Sequence, residues 1–345
     1  MKIVDANVLL YATDETTTHH GDARRWIEQA LVGTESVGVA PCDVGTRQYA
    51  RRMTGQVSEV STAAPAGPLA GLVTSYSGSR VEGLPPGRHL GLPSPQLGLV
   101  IALGDPVRIA AMPDRARAPG AFRAVAYGLQ TRPAVIAHDG SSYTVSVHLT
   151  PAGARALLGV PAAALAGAVV SLDDPLGPVA DELATRAAAA PDWSSRFAVV
   201  TELLSGRAGT PPPVDPALGQ AWRRLVASGG TATVRALAAE TGYSRQHLTR
   251  RFTAEYGQTP KQVARLVRFA RSHRMLRTLG QRRHRQPTAP VPLAEVAARC
   301  GYYDQAHLAR EWNSLAGCPP SAWLAAEQLP FVQDRAAQPE AASVP

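Results

Sequence analysis

The sequence predicts a multidomain α+β chain: a small β-barrel or sandwich-like domain with helices, followed by an all-α domain of two helix-turn-helix units. Three observations predict it. A helix–Gly turn–helix text at residues 237–260, LAAETGYSRQHLTRRFTAEYGQTP, returns altered at residues 296–320, VAARCGYYDQAHLAREWNSLAGCPP, and a repeated unit outranks other signals. Upstream, residues 70–150 read as short apolar runs between Gly and Pro turns, the pattern of an all-β domain. Charge is segregated as well: residues 218–326 carry 17 Lys and Arg against 5 Asp and Glu, and the remainder 18 against 22, within a total of +8. Codon bias explains why Arg outnumbers Lys, but not why the excess collects in one third of the chain.

At 345 residues the chain has room for two or three domains. The opening MKIVDANVLLYATDE is interrupted by Asp5 and Asn7 and does not read as a signal peptide. No run approaches the roughly 20 apolar residues that span a bilayer. Cys42, Cys300 and Cys318 show neither CxxC spacing nor close pairing, which argues against a disulfide framework and a Cys-based metal site. A cytoplasmic chain without membrane association or cofactor is expected.

Taken in order, residues 1–52 begin with a buried strand over 2–12 and an amphipathic helix over 19–32 that buries Ala23, Trp26, Ile27, Ala30 and Leu31. His19-His20 reads as a solvated helix start. Residues 53–69, poor in large apolar side chains, read as a flexible linker. A sensory or dimerisation domain is expected over 70–206. Within it Val145, Val147 and Leu149 alternate with Ser146 and His148 as a half-buried strand, and Asp139-Gly140 is a hairpin signal just before them. From Pro151 onward the period turns helical. His89, His138 and His148 fall on different segments without ligand spacing, so they read as ordinary histidines rather than a metal set. Asp173-Asp174 reads as a helix start. A barrel with turn-rich rims could hold a ligand in its mouth, but no residue names that ligand.

Residues 207–216, with the run Thr210-Pro-Pro-Pro-Val214, form a second linker, and the helical domain covers 217–326. Thr233 is a helix cap, Gly242 the turn, and Ser244 the cap of the next helix. On that helix Leu248 and Phe252, four residues apart, face the core, while Arg245, Gln246, Thr249 and Arg250 face outward. Arg pairs bidentately with guanine and Gln with adenine, so these residue types suit a major groove. Thr259-Pro260 opens a long helix to about residue 279, with Arg265, Arg268 and Arg271 solvated or near phosphate. In the second unit Val296, Ala297, Leu308 and Trp312 are core, and Asp304, Gln305 and Arg310 point outward or cap. His247 and His307 read as turn-stabilising hydrogen-bond groups. Residues 327–345 form a disordered tail.

Two resemblances follow from these motifs. GYSRQHLTRRF…GQTP with GYYDQAHLAREW…GCPP is similar to the double helix-turn-helix of the AraC/XylS transcription regulators, over about 110 residues. That resemblance implies two recognition helices in successive major grooves, about 34 Å apart. It places Arg245, Gln246, Thr249, Arg250, Asp304, Gln305, Ala306 and Arg310 at the DNA. The implied partner is double-stranded promoter DNA, with a small-molecule effector, RNA polymerase and a second copy of the chain as further candidates. GLQTRPAVIAHDG…VHLTPAGARALLGVPAAAL…VVSLDDPLG resembles the sensory halves of the same family. The segment departs from the family in GQRRHRQPTAPVP before the second unit, a longer connection than usual, and in Trp312, where Phe is commoner. VDANVLLY resembles the first strand of PIN-domain ribonucleases, toxins in which Asp5 would be one of several metal-holding carboxylates. The other carboxylates are not found, so residues 1–52 read as a remnant, and a metal-dependent ribonuclease is the alternative function.

Overall fold

The computed structural model describes residues 2–4, 37–39, 47–53, 56–65, 67–209, 214–285 and 292–326. The chain divides into two compact units, Met1–Thr46 and Arg47–Pro345. In the first, β1 (Lys2–Val4) pairs in parallel with β2 (Val37–Val39), Lys2 opposite Val37. Asp5, the helix expected over 19–32, residues 210–213 of the linker expected over 207–216 and the tail expected over 327–345 lie outside the described residues.

The second unit opens with β3 (Arg47–Met53), β4 (Gln56–Ala63), β5 (Val73–Glu82) and β6 (Gly87–Gly91). It continues with β7 (Leu97–Ala102), β8 (Val107–Ala111), β9 (Gly120–Phe122), β10 (Ala124–Tyr127), β11 (Ala134–His138), β12 (Ser142–Leu149) and β13 (Val169–Ser171). One sheet runs β13-β10-β7-β12-β5-β4-β3 and a second runs β6-β11-β8-β9. Buried Ile109, Met112 and Ala134 of the smaller sheet's side pack with Val125 and Val169 of the larger, so the two form a sandwich.

Two expectations are corrected here. The segment read as a flexible linker, 53–69, contains β4, which pairs with β5 from Val57↔Glu82 to Ala63↔Tyr76. Its Ser and Thr are strand residues: Ser61 alternates with Val60 and is fully buried at 0% exposure, so small polar residues here mark a packed strand and not a joint. Asp139-Gly140 makes no hairpin either, because β11 belongs to the smaller sheet and β12 to the larger. The turn carries the chain across the sandwich, with the Leu84 amide donating to the Gly140 carbonyl at 3.1 Å.

Alternation along the larger sheet gives it two different faces. Leu97, Leu99, Ile101, Val145, Val147 and Leu149 are buried against helices. These are α1 (Pro151–Leu158), α2 (Asp173–Leu176), α3 (Pro178–Ala189) and α4 (Trp193–Ser205). Thr150 caps α1, its hydroxyl accepting from the Gly153 amide at 3.0 Å, and Asp192 caps α4 in the same way. Tyr76 stacks on Phe197 and Phe197 on Trp193 across this layer. The opposite face, with Ser77, Ser79, Thr144, Ser146 and His148, looks toward the smaller sheet.

The helical part comprises α5 (Pro216–Ala227), α6 (Val234–Thr241), α7 (Arg245–Tyr256), α8 (Pro260–Arg285), α9 (Leu293–Arg299), α10 (Gln305–Ala316) and α11 (Pro320–Ala326). The connecting helix α8 extends six residues beyond the expected end at 279. Leu237, Leu248, Phe252, Val263, Leu266, Phe269, Val296, Leu308 and Trp312 are all 0% exposed and form its core. No helix among the described residues is long and apolar enough to cross a membrane.

Candidate nucleic-acid interface and the adjoining cavity

Each helix-turn-helix unit is held rigid from behind. Thr233 and Ser244 cap α6 and α7 through side-chain oxygens that accept from the Ala236 and His247 amides at 3.2 Å each. Behind α7, Trp222 packs on the Tyr256 ring at 4.7 Å, and Phe252 meets Tyr256 edge to face at 4.5 Å. Asp215, the cap of α5, accepts from the Tyr243 hydroxyl at 2.7 Å and pairs with Arg251 at 3.2 Å, tying the turn and α7 to the preceding helix. The Tyr243 hydroxyl, then the Ala217 amide and Arg251, hold the Asp215 carboxyl below the usual carboxylate range.

In the second unit Trp312 is fully buried, and its indole N–H donates to Ser272 Oγ at 2.9 Å. Its neighbours are Phe269, His273 and Trp323. Trp312 therefore has its own buried hydrogen-bond partner on α8. Arg265 donates to Glu311 at 2.7 Å and to Ser314 Oγ at 3.1 Å. Arg268 donates to the Gly230 carbonyl at 2.7 Å and lies 3.8 Å from Glu311. This corrects the expectation that both arginines stand in solvent or at phosphate: they clamp α10 onto α8, because Glu311 is buried to 9% exposure and needs countercharge. Arg271 is exposed.

The outward faces carry the residues singled out in the sequence. Arg245, Gln246 and Arg250 are exposed on α7, and Thr249 is half-buried with its hydroxyl donating to the Arg245 carbonyl at 2.8 Å. Gln305, Ala306 and Arg310 are exposed on α10. Asp304 is the cap of α10: its carboxylate accepts from the His307 amide at 2.6 Å, as Ser244 does in the first unit. His307 Nδ1 accepts from the Tyr303 amide at 3.3 Å, inside the turn. His247 instead meets the Tyr243 ring edge-on and contacts Arg250. Sequence reasoning missed Tyr303, which is 93% exposed just before α10. The signal was the extra residue in GYYD relative to GYS: Tyr302 takes the buried place and Tyr303 is pushed out.

The first unit is also attached to the sandwich. Arg155 of α1 makes two hydrogen bonds to Glu255 of α7, at 3.1 and 2.7 Å. Gly257, the left-handed cap of α7 at φ 73°, packs so closely on Ala163 and Ala166 that a side chain would collide with them. Next to it the Gln258 side chain donates to the Leu129 carbonyl at 3.4 Å. Leu129 sits between Gly128 and Gln130, and those two line a cavity of about 300 Å³ between the sheets. His89 and His138 line this cavity and His148 lies behind its wall. The fold thus gathers three histidines that are distant in sequence, yet no group of three or more His, Cys, Asp or Glu among the described residues is placed to hold a metal ion.

Comparison with known proteins matches both halves. Residues 237–326 match the family described as a helix-turn-helix domain, and residues 61–171 match a domain of unknown function (DUF6597). The crystal structure of ToxT from Vibrio cholerae O395 overlays with a TM-score of 0.42 at 10% identity, covering 79% of this chain and 98% of that one. An unsaturated fatty acid bound wild-type ToxT from Vibrio cholerae strain SCE256 gives 0.41 at 10% identity, covering 79% and 96%. A 40-residue stretch is 58% identical to Ribonuclease VapC37 of Mycobacterium tuberculosis, covering 12% of this chain; the chain matches 28% of that ribonuclease's length. Residues 237–326 are therefore a helix-turn-helix domain.

Proposed function

We propose that the protein is a sequence-specific DNA-binding transcription regulator that sets α7 and α10 into successive major grooves of promoter DNA. One observation carries the reading: two exposed basic and polar helix faces, each backed by a fully buried Leu and aromatic pair, repeat around one connecting helix. Such faces stay rigid while presenting Arg and Gln to base edges. Arg245, Gln246, Thr249 and Arg250 read bases in the first unit. In the second, Gln305 and Arg310 read bases, Ala306 permits close approach, Asp304 shapes the helix start, and Tyr303 contacts the backbone beside it.

The sandwich is the sensing half. A small molecule between the sheets would bear on Gly128 and Gln130, and so on the Leu129 carbonyl that Gln258 holds at the end of α7. A ligand shifts DNA affinity only by its differential affinity for two arrangements of that joint. Chemistry is not assigned to this half, and the ribonuclease reading rests on a match to 28% of a ribonuclease's length and on Asp5, which lies outside the described residues.

Selection of binding sites from random duplex DNA with the full chain tests the proposal, repeated with Arg250→Ala. A bipartite motif with halves one helical turn apart is expected. The substitution should weaken its binding by about 1–3 kcal/mol and relax one position in the first half. Binding that tracks salt alone, with no motif, would show phosphate attraction without readout and sink the proposal.

A further inference from the structure

The outward faces of α7 and α10 differ in chemistry, position by position. Counted from the caps Ser244 and Asp304, Arg245 corresponds to Gln305, Gln246 to Ala306, Thr249 to Ala309 and Arg250 to Arg310. In each helix these four make one patch over the first two turns, because residues four apart share a face. Only the last pair is the same residue. On α7 the patch carries two guanidinium groups, an amide and a threonine. On α10 it carries one guanidinium, one amide and two methyl groups; Gln305, Ala306 and Arg310 are exposed and Ala309 is half-buried.

The matched histidines differ as well. His247 Nδ1 lies 3.4 Å from an Arg250 nitrogen, which orients that guanidinium outward from α7. His307 Nδ1 accepts from the Tyr303 amide at 3.3 Å, and the Asp304 carboxylate accepts from the His307 amide at 2.6 Å, so both serve the turn of the second unit. What α10 presents at its centre is therefore apolar and short. Leu308 and Trp312, both 0% exposed, fix the rotation of the helix from behind, so the two alanines keep their direction.

A side chain that ends at Cβ lets the helix come close to a base edge. A cytosine amino group or a purine N7 against that Cβ would lose its water and gain no partner. The apolar group that the major groove offers is the C5-methyl of thymine. Gln305, one residue before Ala306, has the donor and acceptor that match adenine N6 and N7. The first unit places Gln246 and Thr249 where these alanines stand.

We propose that the second unit selects A·T pairs, seating thymine methyl groups on Ala306 and Ala309 beside an adenine held by Gln305, whereas the first unit selects by hydrogen bonds from Arg245, Gln246 and Arg250. The inference deepens the reading of the helical domain as a reader of base edges and rests on it. The test uses the full chain and the duplex obtained by site selection, with Arg250→Ala and Arg310→Ala marking which half each unit occupies. Deoxyuridine in place of a thymidine removes the methyl group and leaves base pairing unchanged. In the second half, binding should weaken about fourfold at one or two such positions, the worth of one buried methyl group. The same replacement between the two halves should change nothing. Ala306→Gln and Ala309→Gln alter surface positions of a helix with a good helix former, so the chain should fold as before. Each should abolish the uracil effect at one position and change the base preferred there. A second half without a selected thymine, thymines that tolerate uracil without loss, or a uracil effect that survives both substitutions overturns this inference and leaves the regulator reading standing. Absence of any bipartite motif overturns both.

Discussion

Removal of the Arg155–Glu255 pair tests whether α7 is fastened to the sandwich by charge as well as by shape. The pair has the bidentate geometry that makes ionic hydrogen bonds strong, with contacts of 3.1 and 2.7 Å. Its side chains retain 23% and 13% of their exposure, so the pair lies between a surface bridge worth under ~1 kcal/mol and a buried one whose disruption costs ~3–5 kcal/mol. Water still reaches both groups, so a lone survivor is partly rehydrated. Arg155→Ala and Glu255→Ala should then each destabilise the chain by about 1–2 kcal/mol, with a coupling energy of about 1 kcal/mol in the double variant. Urea unfolding of the four proteins measures this. DNA affinity measured alongside should change in the singles and the double by the same factor, if the pair acts by holding α7. A coupling energy below ~0.3 kcal/mol, the ordinary scatter of independent sites, would refute the argument.

Three further expectations concern the helical part. Trp312→Phe removes the indole donor from Ser272 and leaves unfilled volume, so it should cost about 1–3 kcal/mol in chemical denaturation, and Ser272→Ala should recover part of the loss in the double variant. Gly257→Ala forces a side chain into a left-handed cap and against Ala163 and Ala166; a loss of at least ~1 kcal/mol is expected, with loosening of α7 visible in amide hydrogen exchange. Asp215 is lowered in the folded state, so its stabilising contribution is fully present above the unfolded carboxylate value of about 3.9 and disappears as pH falls through its lower folded value. Asp215→Asn should flatten the stability profile below about pH 4, and an unchanged acid limb would remove Asp215 from the account.

Much of the helical domain was legible because its signals are local. Ser244 and Thr233 cap through the amides three residues on, Gly242 and Gly257 stop helices, and Leu248 with Phe252 marks the buried stripe one turn apart. Arg265 and Arg268 were misread because their partner Glu311 lies more than forty positions away, and an arginine on a helix looks solvated until its neighbour is known. The sandwich was legible only in kind. Alternation at 145–149 gave a strand and its faces, but Ser and Thr in β4 looked like linker text, and Asp139-Gly140 looked like a hairpin.

By itself the sequence determined what depends on neighbours within a turn or two: the caps, the helix stops, the duplicated unit, the apolar stripes and the basic third of the chain. Tertiary structure alone decided which distant groups meet. It placed Gly98 between Tyr127 and His148, put Ser77 at a His148 ring nitrogen, and set Arg155 against Glu255. Strand order fixes such meetings, and strand order is set by nonlocal pairing and burial summed over the whole sandwich, which no short window of sequence contains.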